Sequence, residues 1–167
     1  VVAWQKQHLI FERMIRSIVN CPIPCICAVN GAAYGGGCEL VTAVDFSYAS
    51  ENATFAQTET KLGIIPGAGG TQNLTRAIGE RRSKEYILTG KSFDAFEAHQ
   101  MGLINKVVKK DELINEILIV ANKIAENAPI AVKQAKKSIN LGLQMSLRDG
   151  LDFEIEAYNR TIDTEDR

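Results

Sequence analysis

The chain of 167 residues lacks several features that would assign it at once. No uninterrupted apolar run approaches the roughly 18 residues of a membrane-spanning helix, so a helical membrane protein is not expected. Neither charge sign dominates. Nineteen Lys and Arg stand against 20 Asp and Glu, a net charge of -1, with no basic stripe of the kind that neutralises nucleic-acid phosphates. Histidine occurs only at His8 and His99, and the cysteines Cys21, Cys25, Cys27 and Cys38 lack the paired C-x-x-C knuckles of a zinc site. They read as reduced, mostly buried thiols of an intracellular protein. An initiator Met is missing too. VVAWQKQHLIFERM opens in mid-pattern with no signal or transit sequence, so the chain is expected to be an internal piece of a longer protein.

What is present is unevenly spread. With 46% hydrophobic residues, the chain can bury a real core, about one domain's worth. Residues 1–79 carry only 10 charged side chains, whereas the remaining 88 residues carry 29. Eight of the 13 glycines fall within residues 31–70. The first half reads as buried and backbone-rich, the second as amphipathic and solvated.

Periodicity places the elements. Trp4, Phe11, Ile15 and Ile18, flanked by Leu9, Ile10, Met14 and Val19, predict a helix over 2–20 that Pro22 and Pro24 terminate. CICAV (25–29) suits a buried strand, Asn30-Gly31 a turn, and CELVTAV (38–44) a short helix opening at three glycines. Residues 45–50 and 54–57 read as strands, with Glu59 at the end of the second and a long loop after it. Helices are expected over 71–78, 80–88, 94–101, 111–126 and 130–141, with one more before the C-terminus and a strand over 103–108. Asp94 and Glu97 have the form of a capping box, and Gly102 is placed to close its helix in the left-handed conformation. The pattern is one continuous α/β domain with a helical C-terminal portion.

Two constellations could carry chemistry. In GAAYGGGCE (31–39) a strand runs through consecutive glycines into a helix, leaving unpaired N–H groups at the helix start. That makes Gly36 and its neighbours candidates for an oxyanion hole. The same glycines would equally let the helix pack tightly on a strand, with Glu39 serving only the helix dipole. In QTETKLGIIPGAGGT (57–71), Glu59 stands at the mouth of a loop too long and apolar for a simple connector. A carboxyl in apolar surroundings favours its acid form and is poised for proton transfer; the alternative is an ordinary surface glutamate in a turn. Together Glu39 and Glu59 are a candidate acid/base pair. Competing motifs are absent: PGAGGT lacks the Gly-Lys-Ser/Thr ending of a phosphate loop, GAAYGGG misses the dinucleotide register, and no G-x-S-x-G elbow occurs.

IPCICAVNGAAYGGGCEL, the strand over 45–50, and FAQTETKLGIIPGAGGTQNLTRAIG resemble the enoyl-CoA hydratase (crotonase) family. The likeness continues through LTGKSFDAFEAHQMGLINKVV, APIAVKQAKKSIN and TIDTEDR, essentially the whole chain. It implies an α/β crotonase fold of stacked β-β-α turns, with residues 1–105 an N-terminally incomplete catalytic core and 106–167 a helical region that packs between subunits of a homotrimer or homohexamer. It also implies an acyl-CoA thioester substrate, no metal and no cofactor beyond the coenzyme A that the substrate carries. Gly36 matches the oxyanion donor, and Glu39 and Glu59 match the two catalytic glutamates of the hydratase branch. Tyr34, Gly35, Pro66 and Gly67 are candidates for the substrate pocket.

Isomerases of the family generally replace the glutamate matching Glu39, so a hydratase is favoured, in the bacterial cytosol or the mitochondrial matrix. The family's second oxyanion donor and most contacts to the adenine of coenzyme A belong to a portion ahead of residue 1, and a terminal segment usually follows Arg167. A methylglutaconyl-CoA hydratase subgroup, some of whose members bind RNA, is one alternative, suggested by ETKLGIIPGAGG and NKVVKK; another acyl-CoA isomerase of the family is the other. The lysines at 106, 109, 110, 133, 136 and 137 have the spacing of an ordinary solvated face, and RNA binding is not expected.

Overall fold

In the computed structural model the apolar periodicity of the first residues becomes helix α1 (Val2–Val19). The structure describes residues 2–165, and of α1 only the side chains from Gln5 onward. The side chain of Trp4 on the expected apolar face and the final Asp-Arg of TIDTEDR therefore lie outside what is described. Ile15 of α1 is buried and packs, with Ile18 and Val19, against Leu40, Ala43 and Ala68. Leu9, Ile10, Phe11 and Met14 are exposed.

Strand, strand and helix then follow in order. β1 (Ile26–Val29), β2 (Ala32–Tyr34) and α2 (Gly36–Ala43) form one turn; β3 (Phe46–Ser50), β4 (Thr54–Ala56) and α3 (Gly70–Ile78) form the next. First strands pair in one parallel sheet and second strands in another: β1 with β3 from Ile26↔Phe46 to Val29↔Ala49, and β2 with β4 from Ala32↔Thr54 to Tyr34↔Ala56. β6 (Lys106–Val108) extends the first sheet to the order β1-β3-β6, and β5 (Phe93–Asp94) adds an antiparallel edge to the second, β2-β4-β5.

Two elements depart from expectation. The residues AAY ahead of the glycines form a strand, because their partner in β4 lies 22 positions away and supplies a pairing that no local pattern announces. Glu59 does not end a strand. β4 stops at Ala56, and Glu59 opens a 3₁₀ turn, Glu59–Leu62, that Gly63 closes at φ +74°.

Between the sheets and the helices lies one apolar core. Phe55 and Leu74 are fully buried, and Phe55 stacks on Phe93 with centroids 5.6 Å apart, which in turn meets Tyr86 at 4.5 Å. Helices α4 (Glu80–Thr89) and α5 (Ala95–Met101) cover it. The capping box at α5 is present in both directions: Glu97 N donates to Asp94 Oδ1 (2.8 Å), and Asp94 N donates to Glu97 Oε2 (3.1 Å). Gly102 sits at φ +83°, and the N–H of Leu103 reaches back to the Ala98 carbonyl at 2.9 Å. Cys38 alone among the thiols is buried. Cys21, Cys25 and Cys27 are half-buried, a correction that for Cys27 follows from the edge position of β1, and all four are free.

The chain divides into two compact units. The first holds residues up to Asn20 and Cys25–Ile117; the second holds Cys21–Pro24 and the chain from Leu118 onward. A boundary drawn at residue 105 from the sequence thus moves to 117, because β6 pairs with β3 and Lys106 joins Glu116 at 2.6 Å. Helix α6 (Leu113–Ala125) begins in the first unit. In the second, α7 (Pro129–Gly142) and α8 (Leu147–Asn159) pack on each other, with Pro129 at the first helical position and Ser146 capping α8 through Asp149 N. Among the described residues no helix is long and apolar enough to cross a membrane.

Candidate active site

The paired β2 and β4 end together, and the chain leaves each at the same edge. Gly35 N donates to the Ala56 carbonyl at 2.8 Å, and Gly35 takes φ +53°, ψ -121° at the cap of α2. A side chain there would be strained, and its Cβ would meet Glu59 Oε1 at 3.2 Å. Gly36 is the first residue of α2. No side chain caps the helix, and an N–H in a first turn has no acceptor within its own helix. The space in the Cβ direction of Gly36 is open.

Glu39 follows three positions later, on the same face of α2 and 3% exposed. Its Oε1 accepts from Ala68 N and from Gly70 N, both at 2.8 Å. Gly70 begins α3, so the helix N-terminus faces a carboxylate, its favoured charge. Gly70 must be glycine: a Cβ would meet Pro66 Cβ at 2.8 Å and Glu39 Oε1 at 2.9 Å. Gly67 is less constrained: a Cβ there would meet Cε1 of His8 of α1 at 2.7 Å, and that exposed ring can shift.

Glu59 is buried at the start of its 3₁₀ turn, which Thr60 ties to α4 through a 2.8 Å bond from Oγ1 to the Ile87 carbonyl. Burial pushes its carboxyl above the ordinary value of 4.5, opposed by the backbone N–H groups of Glu59 and Thr58 and reinforced by the charge of Glu39. The same setting pushes the Cys38 thiol up to about 12, through burial first and then the charges of Glu59 and Glu39.

These groups border one cavity of about 650 Å3. Gly36, Glu39 and Glu59 supply its polar wall. Ile64, Ile65, Pro66, Gly67 and Ala68 supply the loop wall, and Gln7, His8 and Phe11 of α1 the third. The structure thus brings together Gly36, Glu39, Glu59, Pro66 and Gly67, with Gly35 directly beneath Glu59. Tyr34 is not among the residues that border the cavity; it is 46% exposed, and its hydroxyl accepts from Thr54 Oγ1 at 3.2 Å. Sequence reading missed Gln7, His8 and Phe11, which have no feature distinguishing them from other positions of an amphipathic helix. It also missed the two N–H groups that hold Glu39, which lie 29 and 31 positions away from it. Among the described residues no cluster of three or more His, Cys, Asp or Glu could hold a metal.

Four of the six lysines read as a solvated face have local partners. Lys106 pairs with Glu116, Lys109 reaches Glu112 at 3.8 Å, Lys136 Nζ donates to the Ile23 carbonyl at 3.0 Å, and Lys137 Nζ lies 5.8 Å from the Phe153 ring centre.

A profile of the enoyl-CoA hydratase/isomerase family matches residues 5–167. A short-chain-enoyl-CoA hydratase of Clostridium acetobutylicum is 44% identical over 163 residues, 98% of this chain and 62% of that protein. A mitochondrial enoyl-CoA hydratase of Pongo abelii is 45% identical over 144 residues, 86% of this chain and 50% of that protein. The crystal structure of an enoyl-CoA hydratase from Bacillus anthracis superposes with a TM-score of 0.97 at 44% identity, covering 99% of this chain and 64% of that one. The chain therefore spans about three-fifths or less of the length of these relatives.

Proposed function

Because the chain belongs to the enoyl-CoA hydratase/isomerase family and has its crotonase fold, we propose that it carries the acid/base half of a 2-enoyl-CoA hydratase site. The observation that carries this reading is the pairing on one cavity of a backbone-clamped Glu39 with a buried Glu59 of raised proton affinity. An apolar loop wall beside two carboxylates suits a thioester with a hydrocarbon acyl chain.

The reaction follows from the geometry. Glu39 Oε1 is occupied by two backbone donors, so Oε2 takes the proton of a water as its oxygen bonds the β carbon. The electron pair of the double bond moves onto the thioester oxygen, where the N–H of Gly36 stabilises the enolate. The enolate collapses as Glu59 delivers its proton to the α carbon. Dehydration runs the same steps backwards, with Glu59 as base and Glu39 as acid. The chemistry uses only carboxyl and amide groups of the protein. A carboxylate at position 39 is what water activation requires and what double-bond migration does not, which favours hydration over isomerisation. We place the protein in the bacterial cytosol or the mitochondrial matrix, as a homotrimer or homohexamer.

Following the loss of crotonyl-CoA absorbance tests the reading. In the full-length protein Glu39→Gln and Glu59→Gln each lower kcat by about 10²–10⁴-fold. Unchanged rates in both would overturn it.

A further inference from the structure

Glu59 rides on a 3₁₀ turn, so where its carboxyl stands depends on what locates that turn. The Gln57 amide, with its nitrogen turned to Glu59, donates to Oε1 at 3.2 Å and to Oε2 at 3.1 Å; it meets the carboxyl, not the backbone that carries it. Bonds inside the turn, from Lys61 N to the Thr58 carbonyl at 3.1 Å and from Ile64 N to the Glu59 carbonyl at 3.2 Å, shape it without locating it. The residues that follow do not pack: Leu62 and Ile65 are 75% and 70% exposed. Location comes from α4. Ile87 belongs to the last turn of that helix, where a carbonyl has no N–H of its own helix to receive, and the N–H of Lys91, four positions on, donates instead to Thr89 Oγ1 at 3.2 Å. Thr60 Oγ1 supplies the missing donor at 2.8 Å. Its neighbour Lys61 lies across the same helix end: a Cβ on Gly90, which closes α4 at φ +61°, would meet Lys61 Cε at 2.7 Å and Cδ and Cγ at 3.1 Å. That helix end is a firm reference, since Tyr86 and Ile87 are buried and Tyr86 packs on Phe93.

We propose that Thr60 is a positioning residue whose hydroxyl, seated on the Ile87 carbonyl with the Lys61 stem across Gly90, holds the turn where the Glu59 carboxyl reaches the substrate's α carbon. The inference rests on the reading of Glu59 as the proton donor of hydration. Proton delivery to carbon needs close approach along one direction, and a displacement of about 1 Å can cost about 10²-fold in rate. One hydroxyl bond to a helix end governs a smaller displacement. It also governs which face of the enolate is protonated. A donor held on one side delivers there alone, whereas a donor out of place lets solvent compete from either side.

The test compares Thr60→Val, Thr60→Ser and Thr75→Val with the parent in the full-length protein, hydrating crotonyl-CoA in D2O at low conversion. It reads kcat, KM and the configuration of the deuterium at the α carbon, with denaturant unfolding alongside. Thr60→Val keeps the branched shape and removes the donor. It is expected to lower kcat about tenfold with KM changed less than about twofold, and to raise the share of deuterium on the wrong face severalfold. Thr60→Ser restores the hydroxyl and with it the parent's kcat and configuration. Thr75→Val removes a hydroxyl that meets Ser83 Oγ of α4 at 2.9 Å, away from the turn; it is expected to lose stability while keeping both readouts. A folded Thr60→Val protein with the parent's kcat and configuration overturns the proposal, and so does a Thr75→Val or Thr60→Ser protein that changes them as much as Thr60→Val. Where Thr60→Val does not fold, Lys61→Ala, which shortens an exposed side chain, carries the same readouts. Glu59→Gln in the same assay separates the two claims. If it hydrates at the parent rate, the donor role of Glu59 falls, and with it the proposal that Thr60 serves it; if it is inactive while Thr60→Val is unmoved, only the role of Thr60 falls.

Discussion

The two compact units differ most in where their polar groups sit. Every buried polar side chain among the described residues lies in the first unit: Glu39, Ser47, Ser50, Gln57, Glu59 and Ser83. In the second unit Ala157 is the one side chain buried outright among the described residues, while Leu143, Leu147, Leu151, Ile155 and Tyr158 are exposed. The first unit uses its interior to hold polar groups away from water, where hydrogen bonds and charges count for more. The second presents apolar surface that its own helices leave uncovered, the mark of an interaction face. We propose chemistry as the role of the first unit and assembly as that of the second.

The sharpest way to break this division is to remove one backbone donor from the dry unit. Gly36→Pro deletes the N–H at the first position of α2, where proline is tolerated, and no atom crowds its Cβ direction. The expected loss in kcat is about 10²–10³-fold, with folding retained. Gly36→Ala, which keeps the N–H, retains more activity than the proline variant. A proline variant as active as alanine would remove Gly36 from the oxyanion site.

Gly70→Ala should act through packing. Its methyl would press on Pro66 and on the oxygen of Glu39 that receives two backbone bonds, costing about 1–3 kcal/mol of stability by overpacking. Denaturant unfolding together with a hydration assay measures both, and activity should fall further than stability alone explains. In the second unit Leu147→Glu with Leu151→Glu is expected to lower the solution mass by light scattering. The helical circular dichroism signal should change little, since both side chains are already exposed. An unchanged mass would deny this face a role in assembly.

The smallest effect concerns the stability cost of a functional carboxyl. The folded-state value of Glu59 is raised above its ordinary 4.5, so the native state holds this proton more tightly than the unfolded chain. The resulting stabilisation is fully present below the unfolded value and is lost as pH rises through the folded one. Glu59→Gln removes that dependence. Its melting temperature, compared with the parent, should be relatively higher at pH 7 than at pH 4; a difference independent of pH would contradict the burial account.

Much of this was legible in the residues alone. Helical periodicity located α3 to α7 to within about two residues, because an amphipathic helix meets its own pattern every turn; α8 was expected without bounds. The capping box of Asp94 and Glu97 and the left-handed Gly102 were visible for the same reason: their partners are three or four positions away. Gly36, Glu39 and Glu59 stood out as polar or flexible residues in a charge-poor stretch. Short strands were harder. AAY carries no alternation of its own, and β5 consists of two residues.

Local chemistry in the sequence therefore determined which residues had the capacity to act: glycines that free a backbone donor, carboxyls in an apolar setting, and caps that end helices. Tertiary structure alone decided how they act. The two N–H groups on Glu39 come from Ala68 and Gly70, the amide on Glu59 depends on which way Gln57 turns, and the His8 ring lies in the Cβ direction of Gly67. The contacts on Glu39 and at Gly67 each join segments with no shared periodicity. They exist only after the parallel pair β2 and β4 has brought its strand ends to one edge, and no pattern within either segment encodes them.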